Sequence, residues 1–288
     1  MRRTGVEVHA VARNPPVGLE GARWHAVDLF DGRATRQALR RIEPDTIVHL
    51  AWCAVPPQYR TAPDNLEWLK ATVDLARNFA EMGGRRFVGI GTGAEYDPTA
   101  RSCREDATPL RPADLYGATK VATFTSLTAW CRQNEVEFAW PRLFAQYGPG
   151  EHSARIVAYT IQRLLEGCDA ICSAGTQRRD FLHVSDVGRA ITHIALGDVE
   201  GPVNIGSGSA ISVADLLAEV ERQLHGHGRV ILGERETAPG EAEVFAPDVT
   251  RLGLLGWRPA VGLKDGVADS IRWWRQCGGS TSEPAHRP

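Results

Sequence analysis

The sequence predicts an α/β protein with a doubly wound parallel sheet and a smaller C-terminal lobe. Two observations support this prediction: short apolar segments rich in β-branched residues, and longer amphipathic segments between them. Strands that alternate with helices of ten or more residues are typical of a parallel sheet covered by helices. The alternation becomes irregular after Gly150. We therefore expect residues 1–150 to form the sheet domain and residues 151–277 to form mainly the lobe, with some segments returning to the core.

The bounds of the predicted elements follow from hydrophobic periodicity and from residues that end helices. Residues 6–12 alternate, as a strand does, and Gly83 and Gly84 end a long helical segment. Strands are expected at 6–12, 24–28, 46–50, 87–90, 137–141, 170–173 and 230–232. Helices are expected at 34–42, 65–82, 116–134, 155–165, 185–196, 213–224 and 263–274. Residues 278–288 are polar and are expected to form a disordered tail.

Composition narrows the class of protein. The chain has 288 residues, 43% hydrophobic residues and a formal net charge of -2, which suits a globular protein and argues against a nucleic-acid partner. No apolar run approaches the ~20 residues of a membrane helix, and no signal peptide is visible. Of the six cysteines, only Cys168 and Cys172 are close together, which favours free thiols in a reducing cytosol over a zinc site. We expect a cytoplasmic protein without a metal site.

One stretch contains residues suited to proton transfer. A Gly-Thr-Gly-Ala-Glu-Tyr turn from Gly91 to Tyr96 closes an apolar strand, and Tyr116 and Lys120 follow on a predicted helix. Residues four apart on a helix share a face, so the Lys120 ammonium can stabilise the Tyr116 phenolate. The Thr92 hydroxyl would give a second hydrogen bond to a substrate oxygen. These groups suit the movement of a proton at a carbinol while a hydride moves at its carbon.

Further motifs follow in a specific order along the chain. They are Val27-Asp28-Leu29, His-Leu-Ala at 49–51, Asn65, Pro141-Arg142-Leu143-Phe144, Tyr147-Gly148-Pro149-Gly150, the segment 178–187 and the segment 203–208. Together with Thr92 and the Tyr-x-x-x-Lys pair, this order resembles extended short-chain dehydrogenases/reductases of the NAD-dependent epimerase/dehydratase family, which act on nucleotide sugars. The resemblance covers residues 5 to 275 and implies a Rossmann-like fold.

The resemblance also implies roles for named residues. Tyr116 would be the general acid/base, Lys120 would lower its pKa and bind the nicotinamide ribose, and Thr92 would hydrogen-bond the reacting oxygen of the substrate. The positions that would line the cofactor are Arg13, Asp28, Leu29, Ala51, Asn65, Tyr116, Lys120 and Phe144. From the residues alone, Asp28 equally suits a strand-end turn, Asn65 a helix cap and Phe144 the core.

Arg13 bears on the choice of cofactor. It follows a strand whose end faces the adenosine ribose in the family, where relatives that prefer NAD carry an acidic residue. The segment Ala12-Arg13-Asn14 has no acid, which suits a 2′-phosphate and hence NADPH, with NADH or NAD as the alternative. A solvated surface arginine is the other interpretation.

On the substrate side, the resemblance implies that Arg179 contacts the nucleotide diphosphate, a task that suits a planar guanidinium. A charge-paired structural arginine is the alternative. Arg155 and Arg251 are further candidates, although Arg251 also has Asp248 as a possible partner. Glu95 is expected either to orient a sugar hydroxyl or to face solvent.

The chain departs from the family at its beginning. A dinucleotide-binding fold opens with a strand and a glycine-rich turn that feeds a helix, and these hold the pyrophosphate. The first residues here match the end of that helix, so the strand, the turn and most of the helix are missing from the pattern. Either the true start lies upstream, which the intact later motifs favour, or the chain exists as given and binds a dinucleotide weakly.

The remaining motifs narrow the reaction. Gly93 and Ala94 stand where nucleotide-sugar 4,6-dehydratases have an Asp-Glu pair, so elimination of water is not expected. The turn resembles that of dTDP-4-keto-6-deoxyhexose reductases and, with Arg13, favours NADPH-dependent reduction of a nucleotide-activated 4-keto-6-deoxysugar. A 4-epimerase with tightly bound NAD is the nearest alternative, and a catalytically silent, truncated member that binds a nucleotide sugar is another. A homodimer through the helices that contain Asn65 and Tyr116 is expected.

Overall fold

The computed structural model describes residues 5–16, 20–236 and 240–278, and it confirms the predicted α/β class with parallel sheets. The predicted tail from 279 onward lies outside the described residues, while Gly278 ends the last helix. Within the described ranges, no helix is long and apolar enough to cross a membrane. The same ranges contain no group of three or more His, Cys, Asp and Glu residues suited to a metal ion.

The elements follow one another in chain order. The strands are β1 (His9–Ala12), β2 (Arg23–Ala26), β3 (Thr46–His49), β4 (Arg86–Gly89), β5 (Gly91–Thr92), β6 (Ser102–Cys103), β7 (Glu137–Leu143), β8 (Ala145–Tyr147), β9 (Ala170–Ile171), β10 (Arg178–His183), β11 (Gly201–Ile205), β12 (Ala210–Ser212), β13 (Val230–Ile231) and β14 (Val244–Pro247). The helices are α1 (Gly32–Ile42), α2 (Asp64–Glu81), α3 (Leu115–Gln133), α4 (Ile156–Leu165), α5 (Val184–Ala195), α6 (Val213–Gln223), α7 (Thr250–Leu254) and α8 (Leu263–Gly278). Short 3-10 helices occupy Gln58–Arg60 and Gly93–Glu95.

The main sheet is parallel, with the strand order β11–β7–β4–β3, and β5 extends it beside β7. Its two faces are covered by different helices, because successive side chains of a strand point to opposite faces. Phe87 of β4 packs with residues of α1, α2 and α3. The next residue, Val88, packs with α5 and with the segment around Leu252. The helices α2 and α3 lie side by side, and the homodimer expected through them stays a prediction.

The sheet is interrupted beside β3. β1 pairs with β2, and β3 pairs with β4, but no strand of the described residues pairs with the remaining edge of β1 or β3. In the doubly wound order 3-2-1-4-5-6, the first strand lies between the second and the fourth, which correspond to β1 and β3 here. Large apolar side chains stay exposed in this region, with Val11 at 39%, Val48 at 37% and Leu50 at 63%. The interruption agrees with the missing first strand in the sequence pattern.

The lobe is built around β10. This strand pairs in parallel with β8 and β14 and antiparallel with β12, while β14 also pairs with β6. The helices α4, α6 and α8 pack on one another around a core that includes Ile161, Leu217 and Val267. Periodicity predicted these helices with small shifts at their ends. It did not predict the short strands β8, β12 and β14, which depend on β10 as their partner.

Candidate active site

The turn after β5 presents Thr92 at the C-terminal edge of the main sheet. Thr92 begins the 3-10 helix Gly93–Glu95, and its hydroxyl oxygen accepts a hydrogen bond from the amide of Ala94 at 3.2 Å. In return, the Glu95 carboxylate accepts from the amide of Thr92 at 2.8 Å. This reciprocal pair is a capping box, which satisfies donors at the start of a helical turn. The backbone on both sides of Thr92 is therefore held by hydrogen bonds.

Helix α3 brings Tyr116 to this turn. Asp114 caps the helix by accepting from the amide of Gly117 at 2.8 Å. Gly117 also allows the close approach, because a Cβ there would lie 2.4 Å from the carbonyl oxygen of Ala94. As a result, the Tyr116 side chain hydrogen-bonds that of Thr92. The structure thus brings together Thr92 and Tyr116, two of the three predicted catalytic residues.

The Tyr116 phenol is covered and stays protonated. Burial raises its pKa well above the usual range, and the hydrogen bond from Thr92 only partly opposes that effect. The ring of Tyr59 packs edge-on against the Tyr116 ring, with 5.0 Å between centroids. Lys120 is not among the groups that shift this pKa. The lowering of the Tyr116 pKa by Lys120 has no counterpart in this arrangement and stays a prediction for the site with a nicotinamide dinucleotide bound.

Lys120 lies close to Tyr116 but its ammonium is engaged elsewhere. Its Nζ donates to the carbonyl oxygen of Ile90 at 2.7 Å and lies 3.6 Å from the centroid of the Trp52 ring. The distance from Nζ to the centroid of the Tyr116 ring is 5.9 Å. Burial lowers the Lys120 pKa to about 7, an effect that the charge of Glu95 opposes. The Trp52 ring therefore covers the Lys120 amine, which the resemblance predicts to bind the nicotinamide ribose.

A loop between β3 and α2 forms this cover, and Asn65 holds it in place. Trp52 donates its indole N–H to Oδ1 of Asn65 at 2.8 Å. The Asn65 amide donates to the carbonyl oxygens of Tyr59 at 2.7 Å and Ala62 at 2.9 Å. The side chain of Asn65 is fully buried and its hydrogen bonds are used within the loop. The predicted cofactor contact of Asn65 stays a prediction, and Asn65 is not a helix cap, because α2 begins without a side-chain cap.

A cavity of about 650 Å³ opens beside this loop, at the C-terminal ends of β1 and β3. Residues from both the sheet domain and the start of the lobe line it, including Arg13, Phe30, Trp52, Trp68, Glu151 and Arg155. Arg13 and Arg155 thus lie where the sequence predicted ligand contacts. Thr92, Tyr116 and Lys120 do not line the cavity, since Trp52 forms the wall over Lys120.

The other predicted cofactor residues lie outside this cavity. The exposed Asp28 accepts from the amide of Phe30 at 2.9 Å, so it serves the turn after β2. Leu29 lines a separate small cavity between α1 and α2. Phe144 packs between the rings of Tyr96 and Phe245, with centroids 6.1 Å and 5.5 Å away. Asp28 thus occupies the turn named as its structural alternative, while Phe144 is half-buried. The cofactor contacts of both residues stay predictions.

Ala51 directly follows β3 and is half-buried. It does not line the large cavity, in contrast to the next four residues of the loop, which begin with Trp52. The ring of Trp52, the residue after Ala51, lies over the Lys120 ammonium. The predicted contact between Ala51 and a dinucleotide therefore has no support in this arrangement.

Of three predicted substrate-side residues, Glu95 is shut off from a ligand by burial. Arg179 and Arg251 have partners within the protein, and their substrate contacts stay predictions. Glu95 is fully buried, and both its carboxylate oxygens accept hydrogen bonds from the protein. Arg179 lies in β10 and pairs with Glu241 at 2.8 Å, as its charge-paired alternative required. Arg251 donates to the carbonyl oxygen of Glu200 at 2.6 Å, beside the start of β11. That is the edge of the sheet opposite Thr92.

Glu151 is a cavity residue that the sequence analysis did not single out. It follows the turn that contains Gly148 and Gly150, both of which have positive φ angles. Burial raises the pKa of the Glu151 carboxyl to about 8, against the opposing charge of Arg155. Its signal in the sequence was its place directly after the Tyr-Gly-Pro-Gly motif, but a glutamate in a loop is too common to single out.

The residues beside the cavity suit parts of a nicotinamide dinucleotide. The Thr92–Tyr116 pair suits the reacting end, and the Arg13 guanidinium at the cavity suits a phosphate. Helix N-termini can also bind a pyrophosphate. The helices α2 and α4 begin without a side-chain cap, and Asp64 and Arg155 at their starts line the cavity.

Comparisons with known proteins agree with this architecture. The sequence profile described as the NAD dependent epimerase/dehydratase family matches residues 1–206. UDP-glucuronic acid decarboxylase 1 of Xenopus tropicalis is 30% identical over 249 residues, which are 82% of this chain and 58% of that protein. The chain thus spans less than two thirds of this relative.

Two solved structures extend the comparison. MoeE5 in complex with UDP-glucuronic acid and NAD is 30% identical, with a TM-score of 0.78 over 95% of this chain and 92% of MoeE5. The UDP-glucose 4-epimerase of Thermotoga maritima, solved with UDP-glucose, has a TM-score of 0.81 over 95% of this chain and 92% of that chain. Its identity is 22%, so it supports the fold alone. The chain belongs to the NAD-dependent epimerase/dehydratase family.

Proposed function

We propose that this protein transfers a proton at the C4 oxygen of a nucleotide-activated sugar. Its proposed net reaction is the reduction of a 4-keto-6-deoxysugar, with a dTDP-sugar as the first candidate substrate. The observation that supports this proposal is the hydrogen-bonded Thr92–Tyr116 pair at the C-terminal edge of the sheet. Ligands of open α/β sheets bind at that edge. A reduced nicotinamide dinucleotide would supply the hydride.

In this reaction the protein's own residues would supply the proton. The Tyr116 phenol would donate it to the oxygen that becomes a hydroxyl, and the Thr92 hydroxyl would donate a hydrogen bond to the same oxygen. Burial raises the Tyr116 pKa, so the phenol carries its proton at neutral pH, as the acid in a reduction must.

Elimination of water has less support at this site. A 4,6-dehydratase needs a free acid and base beside the catalytic hydroxyl, and Gly93 and Ala94 provide neither. The carboxylate in this turn belongs to Glu95, which is fully buried and paired with Arg142. The turn therefore favours simple proton transfer at one oxygen.

A 4-epimerase is the second candidate. MoeE5, which is 30% identical, was solved with UDP-glucuronic acid and NAD. This comparison favours a UDP-sugar and NAD, whereas Arg13 at the cavity favours NADPH. A silent member that only binds a nucleotide sugar is the third candidate.

One set of incubations separates these functions. The purified chain is mixed with a dTDP-4-keto-6-deoxyhexose and NADPH or NADH, and loss of the reduced nicotinamide absorbance is followed. Parallel samples contain UDP-glucose or UDP-glucuronic acid with NAD, and the sugars are resolved by chromatography. We expect consumption of NADPH with the ketosugar, and none in the Tyr116→Phe variant. Interconversion of UDP-sugars without net consumption of cofactor would establish the epimerase instead, and binding without turnover would establish the silent member.

A further inference from the structure

A carboxylate lies buried directly behind the Thr92 turn. Glu95 has no exposed surface, and its ion pair with Arg142 is also buried, with the Nε of Arg142 2.7 Å from Oε2. Burying two charges costs several kcal/mol for each ion, and the pair is often no more stable than apolar residues of similar volume. Stability alone therefore does not account for this pair. The contacts of this ion pair identify the part of the site that it holds in place.

The two oxygens of Glu95 have different tasks. Oε1 accepts from the amide of Thr92 at 2.8 Å and from the indole N–H of Trp140 at 2.9 Å. Oε2 accepts from Arg142, so that charge fixes the orientation of the carboxylate. The space is tight, because a Cβ on Gly91 would lie 2.5 Å from Oε1. Glu95 therefore has one position in which it can hold the backbone of Thr92.

Arg142 anchors this carboxylate to the sheet. Its Nη1 donates to the hydroxyl of Tyr96 at 2.9 Å, and that hydroxyl donates to Oδ1 of Asn204 at 2.8 Å. Asn204 lies in β11 and Arg142 in β7. The chain of contacts thus runs from two strands of the main sheet through Arg142 and Glu95 to the amide of Thr92.

We infer that Glu95 is a positioning residue, which fixes the Thr92 backbone so that its hydroxyl meets the Tyr116 phenol. This inference rests on the proposed function, in which Thr92 and Tyr116 touch the substrate. Glu95 itself touches neither substrate nor cofactor. Its negative charge also acts through space, since it raises the pKa of both Tyr116 and Lys120. The charge of Glu95 thus favours the protonated form of both groups.

Two double variants with the same net charge test whether Glu95 positions Thr92 through its hydrogen bond. Glu95→Gln/Arg142→Met keeps an acceptor for the Thr92 amide, whereas Glu95→Leu/Arg142→Met removes it. Both lack the ion pair, so neither leaves a lone buried charge. Thermal unfolding and circular dichroism establish that both fold before their turnover is compared.

The two variants are expected to differ in kcat more than in KM. Loss of the acceptor lets the Thr92 turn shift, and a misplaced catalytic group costs about tenfold to a hundredfold in rate. We expect that fall in kcat for the Leu variant relative to the Gln variant, with KM within about threefold. Equal kcat values in two folded variants would overturn the inference.

A second measurement does not need turnover. Tyrosine labelled with a stable isotope is followed by NMR at neutral pH, and the Tyr116 signal is assigned with Tyr116→Phe. In the Leu variant, Tyr116 should lose its bond to Thr92, so the chemical shift of the ring carbon that bears its hydroxyl should differ from that in the Gln variant. The same Tyr116 chemical shift in both variants would refute the positioning role even if the protein reduces no sugar.

Discussion

Two regions at the same edge of the sheet differ in how completely their polar groups are held. On one side, Glu95 accepts three hydrogen bonds while fully buried, and Thr92 meets Tyr116. On the other side, the facing edges of β1 and β3 have no partner among the described strands, and Val11 and Val48 stay exposed. The Thr92 turn is thus held by buried hydrogen bonds, whereas the facing edges of β1 and β3 have no strand partner among the described residues. The two regions therefore differ in how firmly their backbone is held.

The difference follows from the contacts that build each region. The acid–base side is made by neighbouring elements, since the close approach at Gly117 brings the start of α3 against the Thr92 turn. A phosphate site requires backbone N–H groups at a helix N-terminus, and α2 and α4 begin beside the cavity without a side-chain cap. The catalytic pair thus depends on neighbouring elements, whereas the cavity is lined by segments from several parts of the chain.

The largest expected effect is the loss of the Tyr116 hydroxyl. Tyr116→Phe keeps the ring packed against Tyr59 but removes the proton donor, so turnover of the ketosugar should fall by about 10²–10⁴-fold. The thermal unfolding temperature should change little. Tyr159→Phe is a matched control, because this tyrosine lies on α4 and contacts Arg235 instead of the site. Near-normal turnover in Tyr116→Phe would exclude Tyr116 from the mechanism.

The next effect is a change in how stability depends on pH. Burial lowers the Lys120 pKa from 10.5 to about 7. Between these values the unfolded chain binds a proton that the folded chain does not, so the free energy of unfolding rises with pH. At about 1.4 kcal/mol for each pH unit, the whole rise is about 5 kcal/mol.

Lys120→Met removes this titration. Urea unfolding at several pH values above neutrality should give a flatter curve for Lys120→Met than for the parent chain. The difference between the two curves isolates Lys120, because all other titrating groups are shared. Parallel curves would mean that the Lys120 amine is hydrated, and then Trp52 would not be its cover.

The sequence predicted seven of the eight described helices, because each of these has a long periodic pattern, and it missed the five-residue α7. It also missed the strands β8, β10, β11, β12 and β14. These segments acquire their conformation from pairing with strands that are distant in the sequence, which periodicity does not reveal. The gap between β1 and β3 was predictable, because the sequence does not show the glycine-rich turn of the dinucleotide-binding pattern.

The site was predictable where a motif fixes both residue and spacing, as for Thr92 and Tyr116. Predictions for single residues failed where a local partner decides the role. Glu95 was predicted to meet substrate or solvent, yet Arg142, which lies 47 positions later, keeps it buried. Lys120 has the expected neighbour, but Trp52 from a distant loop changes its environment. Pairings of this kind depend on tertiary structure and leave no pattern in one sequence.

A smaller effect is expected from opening the cover over Lys120. Trp52→Leu removes the ring and also the donor to the buried Oδ1 of Asn65. An acceptor left without its partner costs about 1–3 kcal/mol of stability. At the same time, Lys120 becomes accessible, so its modification by an amine reagent should speed up.

The chain provides internal controls for that measurement. Its other lysines, Lys70 and Lys264, are exposed and should react at the same rate in both proteins. Peptide mass spectrometry resolves the three sites. An unchanged rate at Lys120 would show that groups other than Trp52 shield the amine.

The smallest effect concerns the open side of the site. Arg13 is exposed and lines the cavity at the end of β1, so its contact with a 2′-phosphate would be partly screened by water. A pair of that kind contributes about 1 kcal/mol, which predicts about fivefold weaker binding of NADPH to Arg13→Ala. Binding of NADH should stay the same, and Arg33→Ala, on the exposed start of α1, should affect neither. Isothermal titration with both nucleotides measures this difference. Equal losses for NADPH and NADH would mean that Arg13 does not recognise the 2′-phosphate, and NAD would then be the cofactor that the cavity favours.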